Sequence, residues 1–427
     1  MRLNPKRLHF SPQAALLFTG LAGLGLGASV GCTQSLYAGA PTANDPNPVQ
    51  PDSGSTGGTP GTGGSPGACS GSGDASGLGG TLGTGGAINL GTGGIAVTVP
   101  SCPTISTTPG TLNRCGMTFG IAYSPDGQLV ATATQTPAPN IHVWRLSDGA
   151  LLQNLDGHGG GSYSVAFSPD GTILATAGNA PSTVGCGVSS TTTSSDLVKL
   201  WEVATGNLLR SIPAATGSYA DTAQFSPDGA RLVTGGMLGP VQIWNLADGT
   251  LLTSIANSNT TYNARFSPDG TRIVNAAESS NGGVWSASDG SALFSLADFG
   301  EDMNDAAYSP DGTEIVATGA GGTLRFFDSS GKLLQSFVAH TVNYISHVVW
   351  VDNDDVVSDD WGGNVKSWTR DATGHFVASG SWSIGGQALG LAVSPDKKTI
   401  AVAGGSGAEG FMFLSYQPVV PAVVRVN

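Results

Sequence analysis

Six times this chain writes Ser-Pro-Asp, at Ser124, Ser168, Ser226, Ser267, Ser309 and Ser394, and five of the six continue to Gly. The first five are 44, 58, 41 and 42 residues apart; the last gap, 85, is two such steps with one degenerate copy between. A period near 42 constrains the fold more than any composition figure. Each copy is a supersecondary unit that cannot bury its apolar face alone, so the copies must stack or close into a ring.

The second copy shows the unit. Tyr163, Val165 and Phe167 alternate with small polar residues, the period of a half-buried strand. Ser168-Pro169-Asp170-Gly171 then turns the chain: Pro presets the backbone, Asp bonds its own backbone, and Gly takes the left-handed conformation. Ile173 to Ala177 reads as a second strand and Leu197 to Trp201 as a third, and Leu208-Leu209 opens a fourth after Gly206. Trp144, Trp201, Trp244, Trp285, Phe327 and Trp368 share one position near the end of the third strand. A Gly follows each, and Leu151, Leu208, Leu251 and Leu333 come two residues after theirs. The sixth copy has Trp350 where others have Phe or Tyr, with Val351-Asp352-Asn353-Asp354 in place of the turn; the seventh runs from Leu389 to Leu414. The expectation is an all-β, seven-bladed β-propeller of four-stranded antiparallel blades, strands a to d, across about residues 117–427.

These residues resemble the WD-repeat (tryptophan–aspartate) β-propeller family, whose repeats run about 40–45 residues. The Trp stands in five copies, its partner Asp only at Asp328, and the family's Gly-His only at Gly157-His158, echoed by His340. The resemblance implies Trp residues packed between blades, and a family hydrogen-bond network that is mostly missing. A six-bladed propeller related to periplasmic translocation proteins also uses Ser-Pro-Asp-Gly turns; the Trp, the Gly-x-Leu-Leu and the count of seven argue against it. Ring closure calls for one blade built from both chain ends. The last blade needs a strand d, and Val419 to Val426 is favoured over Ile95 to Val99.

Residues 1–31 read as a processing signal. Arg2, Lys6 and Arg7 precede an apolar stretch, Ala14 to Ala28, too short to span a bilayer. Ala28-Ser29-Val30-Gly31-Cys32 resembles the bacterial lipoprotein signal, with Ser29 where that family prefers Leu. The resemblance implies Cys32 as a lipidated N-terminus, and Thr33 after it an outer-membrane address, on the periplasmic or the outer side. Residues 33–94 form a Gly/Ser/Thr/Pro-rich linker with almost no apolar bulk to offset its ordering entropy. Its 55 residues from Ala40 to Gly94 have a reach of roughly 40 Å as a flexible coil. The propeller domain is then 95–427, held to a membrane by one lipid anchor and no transmembrane helix.

Only 11% of residues are charged, and the net charge of −13 becomes −16 once residues 1–31, with three cations and no acid, are removed. That sign repels nucleic acid and anionic lipid faces. Besides Cys32 there are Cys69, Cys102, Cys115 and Cys186, which allow three pairings. A Cys102–Cys115 bridge would staple the entry to the first blade at about 3 kcal/mol in the loop-entropy model; Cys69 and Cys186 pair or stay free. Cys186 lies in an insertion, Asn179 to Ser195, that accounts for the 58-residue step and reads as a surface loop.

No catalytic constellation stands out, and no cofactor or metal is expected. His347, opening the sixth unit, has no assigned role. Asp352, Asp354, Asp355, Asp359 and Asp360 read as a solvated acidic patch, split between two ends of the blade and so unable to share one cation. By family habit partners dock on the face carrying the d–a and b–c loops. There the pattern places Tyr163, Asp221, Tyr262, Asn304 and Ser346, each four residues before the aromatic of its strand a. The leading expectation is a non-enzymatic cell-envelope module binding a protein or glycan. The alternative is a propeller-type hydrolase or lactonase with a metal at the central channel.

Overall fold

The computed structural model describes residues 104–417, less 114, 136–138, 180–196, 215–218, 257–258, 281, 297–300, 342–343 and 406–409. Among the described residues, 28 strands form seven four-stranded antiparallel sheets, the expected seven-bladed propeller. The a strands are Thr118–Tyr123, Ser162–Phe167, Ala220–Phe225, Thr261–Phe266, Met303–Tyr308, Ile345–Trp350 and Gln387–Val393, for blades 1 to 7. Each lies against the a strand of the next blade and the last against the first, so they ring the centre.

Strand b of each blade, such as Ile173–Gly178, is buried on both faces because neighbouring blades cover it. The outer d strands meet water, and Leu208 and Leu209 stay half exposed. The repeated Trp explains the repeated Leu. Trp144 pairs with Leu151, Trp201 with Leu208 and Trp244 with Leu251 across a bulge between strands c and d. Each Trp then fills the seam with the preceding blade. Trp201 packs with Val143 and Leu155 of blade 1, and Trp244 with Leu197 and Ile212 of blade 2. Burying such a side chain contributes roughly 2–3 kcal/mol, repeated around the ring.

Strand d of the closing blade is not the favoured Val419 to Val426. Strand d of blade 7 is Leu112–Asn113, which pairs antiparallel with Gly410–Ser415. It comes from the N-terminal side, downstream of Ile95 to Val99, and takes the place expected of Val419 to Val426; both of those segments lie outside the described residues. Two residues are too few to show an alternating pattern, and anchors outside the strand hold them. Gly110 N donates to Phe413 O at 2.7 Å, and the Asn113 side chain bonds Ser106 N and O at 2.7 and 3.0 Å. Ile105, buried among Trp144, Phe411 and Phe413, ties the segment to Gly149 O at 2.8 Å. Gly149 has φ +70°, and a Cβ there would collide with the Ile105 carbonyl, so this turn admits only Gly. Cys115 is buried and disulfide-bonded; Cys69, Cys102 and Cys186 lie outside the described residues.

The network expected to be mostly missing is complete in blade 6. His340 Nδ1 meets Asp360 Oδ2 at 2.8 Å and His340 Nε2 meets Ser358 Oγ at 2.8 Å, while Trp368 Nε1 donates to Ser358 Oγ at 2.9 Å. Blade 2 repeats the same His–Thr–Trp chain: His158 Nε2 to Thr176 Oγ1 at 3.0 Å, and Trp201 Nε1 to Thr176 Oγ1 at 3.0 Å. In blade 1 the equivalent Trp144 Nε1 and Thr132 Oγ1 are buried with no partner among the described residues. The solvated acidic patch is corrected likewise. Asp355, Asp359 and Asp360 are buried on strand b of blade 6, and only Asp352 and Asp354 reach water at the hairpin. Burial pushes the Asp360 pKa up, but hydrogen bonds from His340 and Asn364 outweigh it and hold it below the usual carboxylate range.

Candidate partner-binding face

All seven a strands carry a bulge near their start, where the chain enters from the d–a loop. The residues passed over in pairing are Phe119, Tyr163, Asp221, Tyr262, Asn304, the pair Ser346–His347, and Leu389. A bulge sets two residues against one and re-aims the extra side chain. The five residues singled out from sequence are therefore the bulge residues of blades 2 to 6. Phe119 and Leu389 complete the ring, and counting four residues back from Tyr123 and Val393 finds them too.

These side chains divide in what they do. Phe119 and Tyr163 meet edge to face at 5.2 Å, and Tyr163 and Tyr219 tilt together at 5.6 Å. Tyr163 Oη accepts from Asn179 Nδ2 at 2.9 Å, and Asn304 Nδ2 donates to Ile345 O at 2.8 Å. Asn304 thereby ties blade 5 to blade 6. Asp221 differs: it is 7% exposed, and neither carboxylate oxygen has a hydrogen-bond partner among the described residues. Burial drives its pKa well above the ordinary carboxylate value. Its charge in turn bears on Tyr163, whose pKa burial and Asp221 push up to about 12, and on Tyr262. The Tyr262 and Ser346 hydroxyls are also buried and unpaired. Sequence reasoning missed Tyr219, Glu278 and Asp302, which add charge or aromatic surface beside Tyr262. These three stand at the start of strands or in loops, where no periodicity marks them.

The surrounding loops hold strained backbone. Leu238 (φ +50°), Ser279 (φ +59°) and Tyr344 (φ +151°) follow or precede the strands at this end. Non-glycine residues in such regions cost roughly 1–3 kcal/mol each and concentrate at binding sites. Leu238 is 60% exposed as well, and Tyr344 packs on Trp361 at 5.5 Å.

A second polar set lies deeper. Arg265 of blade 4 reaches Asp305 of blade 5 at 3.0 Å and Val348 O of blade 6 at 3.2 Å, spanning the inner side of the ring. Asp305 Oδ1 accepts from Asn263 Nδ2 and Ala306 N at 2.7 and 2.8 Å; Oδ2 accepts from Arg265 and from Val348 N at 3.0 Å. His347, unassigned from sequence, sits 3.4 Å from Asp359. Burial pushes its pKa down, but Asp359 and Asp305 prevail and hold it above the ordinary histidine value, with Arg265 opposing. A metal here does not fit, because the Asp305 oxygens are already saturated and a guanidinium occupies the cation position. Among the described residues no group of three or more His, Cys, Asp or Glu side chains is placed to hold a metal ion.

The family model described as "WD domain, G-beta repeat" matches residues 149–183. Over those residues the chain is similar to one WD repeat. The match runs from strand d of blade 1 through strands a and b of blade 2, past Gly157-His158, and stops inside the insertion that precedes Trp201. With the seven blades it supports the WD-repeat propeller reading. A search of curated proteins gave no match.

Proposed function

We propose that the protein is a non-enzymatic interaction module of the cell envelope, exported and lipid-tethered through Cys32. It binds a protein or glycan partner on the face ringed by the a-strand bulges. The observation that carries this reading is Asp221, a buried carboxylate with no hydrogen-bond partner among the described residues, beside Tyr163 and Tyr262. An unpaired buried acid costs stability, so such a group is a docking point for a hydrogen-bond donor or cation. Tyrosines beside it supply rigid amphipathic contact area. The strained Leu238 and Ser279 are the kind of backbone that binding loops retain.

The test is capture from envelope extracts with the mature chain and with Asp221→Asn. The unmodified chain is expected to enrich a protein or glycan that the variant loses. No enrichment, or equal enrichment by both, would refute the reading. Labelling with a radioactive fatty acid tests the tether: label on the unmodified chain and none on Cys32→Ala is the expected result.

A further inference from the structure

The hairpin end of the propeller repeats one slot at each seam. By position, the first residue of strand b in one blade is matched to the last residue of strand a in the next. From seam to seam the pairs are Leu129 with Phe167, Ile173 with Phe225, Arg231 with Phe266, Arg272 with Tyr308, Glu314 with Trp350, Asp355 with Val393, and Thr399 with Tyr123. At three consecutive seams a guanidinium fills the slot. Arg231 lies 5.0 Å over the Phe266 ring and donates to Gly270 O at 2.7 Å. Arg272 lines a cleft of about 170 Å³ with Tyr308, Asp269 and Asp311, and donates to Ser329 O at 2.7 Å. Arg370 enters from blade 6 and meets Glu314 at 2.9 Å.

The seam between blades 7 and 1 has the same walls and no such side chain. Thr399 is short, and the cleft opens to about 540 Å³. Tyr123 stands where Tyr308 does, Asp126 and Asp396 where Asp311 and Asp269 do, and Gly127 and Leu146 where Gly270 and Ser329 offer their carbonyls. Phe413 adds an apolar wall, and the Tyr123 hydroxyl is buried without a partner. Asp126 and Asp396 each spend Oδ1 on their own turn, and Asp396 Oδ2 has only the exposed Lys398 at 3.8 Å.

We infer that the cleft between blades 7 and 1 is a binding site for a guanidinium group, supplied by an arginine side chain of a partner segment. Arg231 and Arg272 show what these walls hold: a guanidinium hydrogen-bonded to a backbone carbonyl, which in Arg231 also lies over an aromatic ring. The chain's net charge of −13 favours a basic partner. This site is on the opposite end from the bulge ring and stands independently of it.

The test is titration calorimetry of the full chain with acetyl-Gly-Arg-Gly-amide, its citrulline counterpart and agmatine. The arginine peptide is expected to bind, and the neutral citrulline peptide to bind at least about tenfold more weakly, having lost the charge-assisted bonds. Thr399→Arg should abolish binding and raise the thermal midpoint, because the slot is then filled in cis as at the seams after blades 3 and 4. Thr399→Leu, copying Leu129, should abolish binding without adding charge, and covers the case in which the arginine variant folds poorly. No binding of the arginine peptide, equal binding of the citrulline peptide, or binding unchanged in Thr399→Leu would overturn the proposal. Agmatine binding as tightly as the peptide would overturn the partner-segment source.

Discussion

At the hairpin end of the blades, Ser124, Ser168, Ser226, Ser267, Ser309 and Ser394 each donate to the Asp two residues on, at 2.5–2.7 Å. Each hydroxyl also accepts from the first N–H of strand b. Only blade 6 departs, closing its hairpin through Val351 N to Asp355 O. At the loop end only blades 2 and 4 agree, both with Tyr. Phe119, Tyr163, Asp221, Tyr262, Asn304, Ser346 and Leu389 hold one structural position with six residue types. Repetition there would serve folding, which needs every turn to close the same way. Variety serves recognition, which needs a surface unlike itself around the ring. The unfilled slot beside Thr399 follows the same lesson: where the repeat fails, a site opens.

The largest effect is expected where the loop end is structural after all. His340→Ala removes the centre of the blade 6 network and leaves Asp360 and Ser358 buried, at a cost of about 3–5 kcal/mol in chemical denaturation. Thr132→Ala at the matching place in blade 1 should cost under about 1 kcal/mol, since that hydroxyl has no partner to lose. Equal costs would erase the distinction between wired and unwired blades. Next in size, Ser226→Ala should cost about 1–2 kcal/mol, because the hydroxyl both donates to Asp228 and accepts from Arg231 N. A neutral result would mean that the hairpins close without their serines. The smallest effect is Lys397→Gly, which removes a side chain from φ +59° and should add about 0.5 kcal/mol.

Much of this was legible in the residues. Ser-Pro-Asp, the Trp and the spaced Leu announce the blades because each is a local rule repeated. The bulge residues were countable from the strand-a aromatics. What escaped depends on pairs far apart in sequence. His340 and Asp360 form one network only once the a, b and c strands of blade 6 are stacked, so the aspartates of strand b looked solvated. Leu112–Asn113 carries no pattern, and its role comes from Gly110, Ser106 and Ile105 around it. The open slot beside Thr399 shows only by comparison with slots already filled.

Asp221→Asn set against Ser226→Ala tests the division of labour most directly. Stability across pH and partner capture are measured on both variants. Asp221 has a raised folded pKa, so its favourable contribution is present below the ordinary carboxylate value and is lost as pH rises toward the folded one. Asparagine does not titrate. Asp221→Asn should therefore equal or exceed the unmodified chain in stability at neutral pH, with that advantage gone in acid, and should lose the partner. Ser226→Ala should show the reverse, with stability lowered and capture kept. The account is contradicted if Asp221→Asn destabilises at neutral pH as much as Ser226→Ala does, or if it captures the partner undiminished.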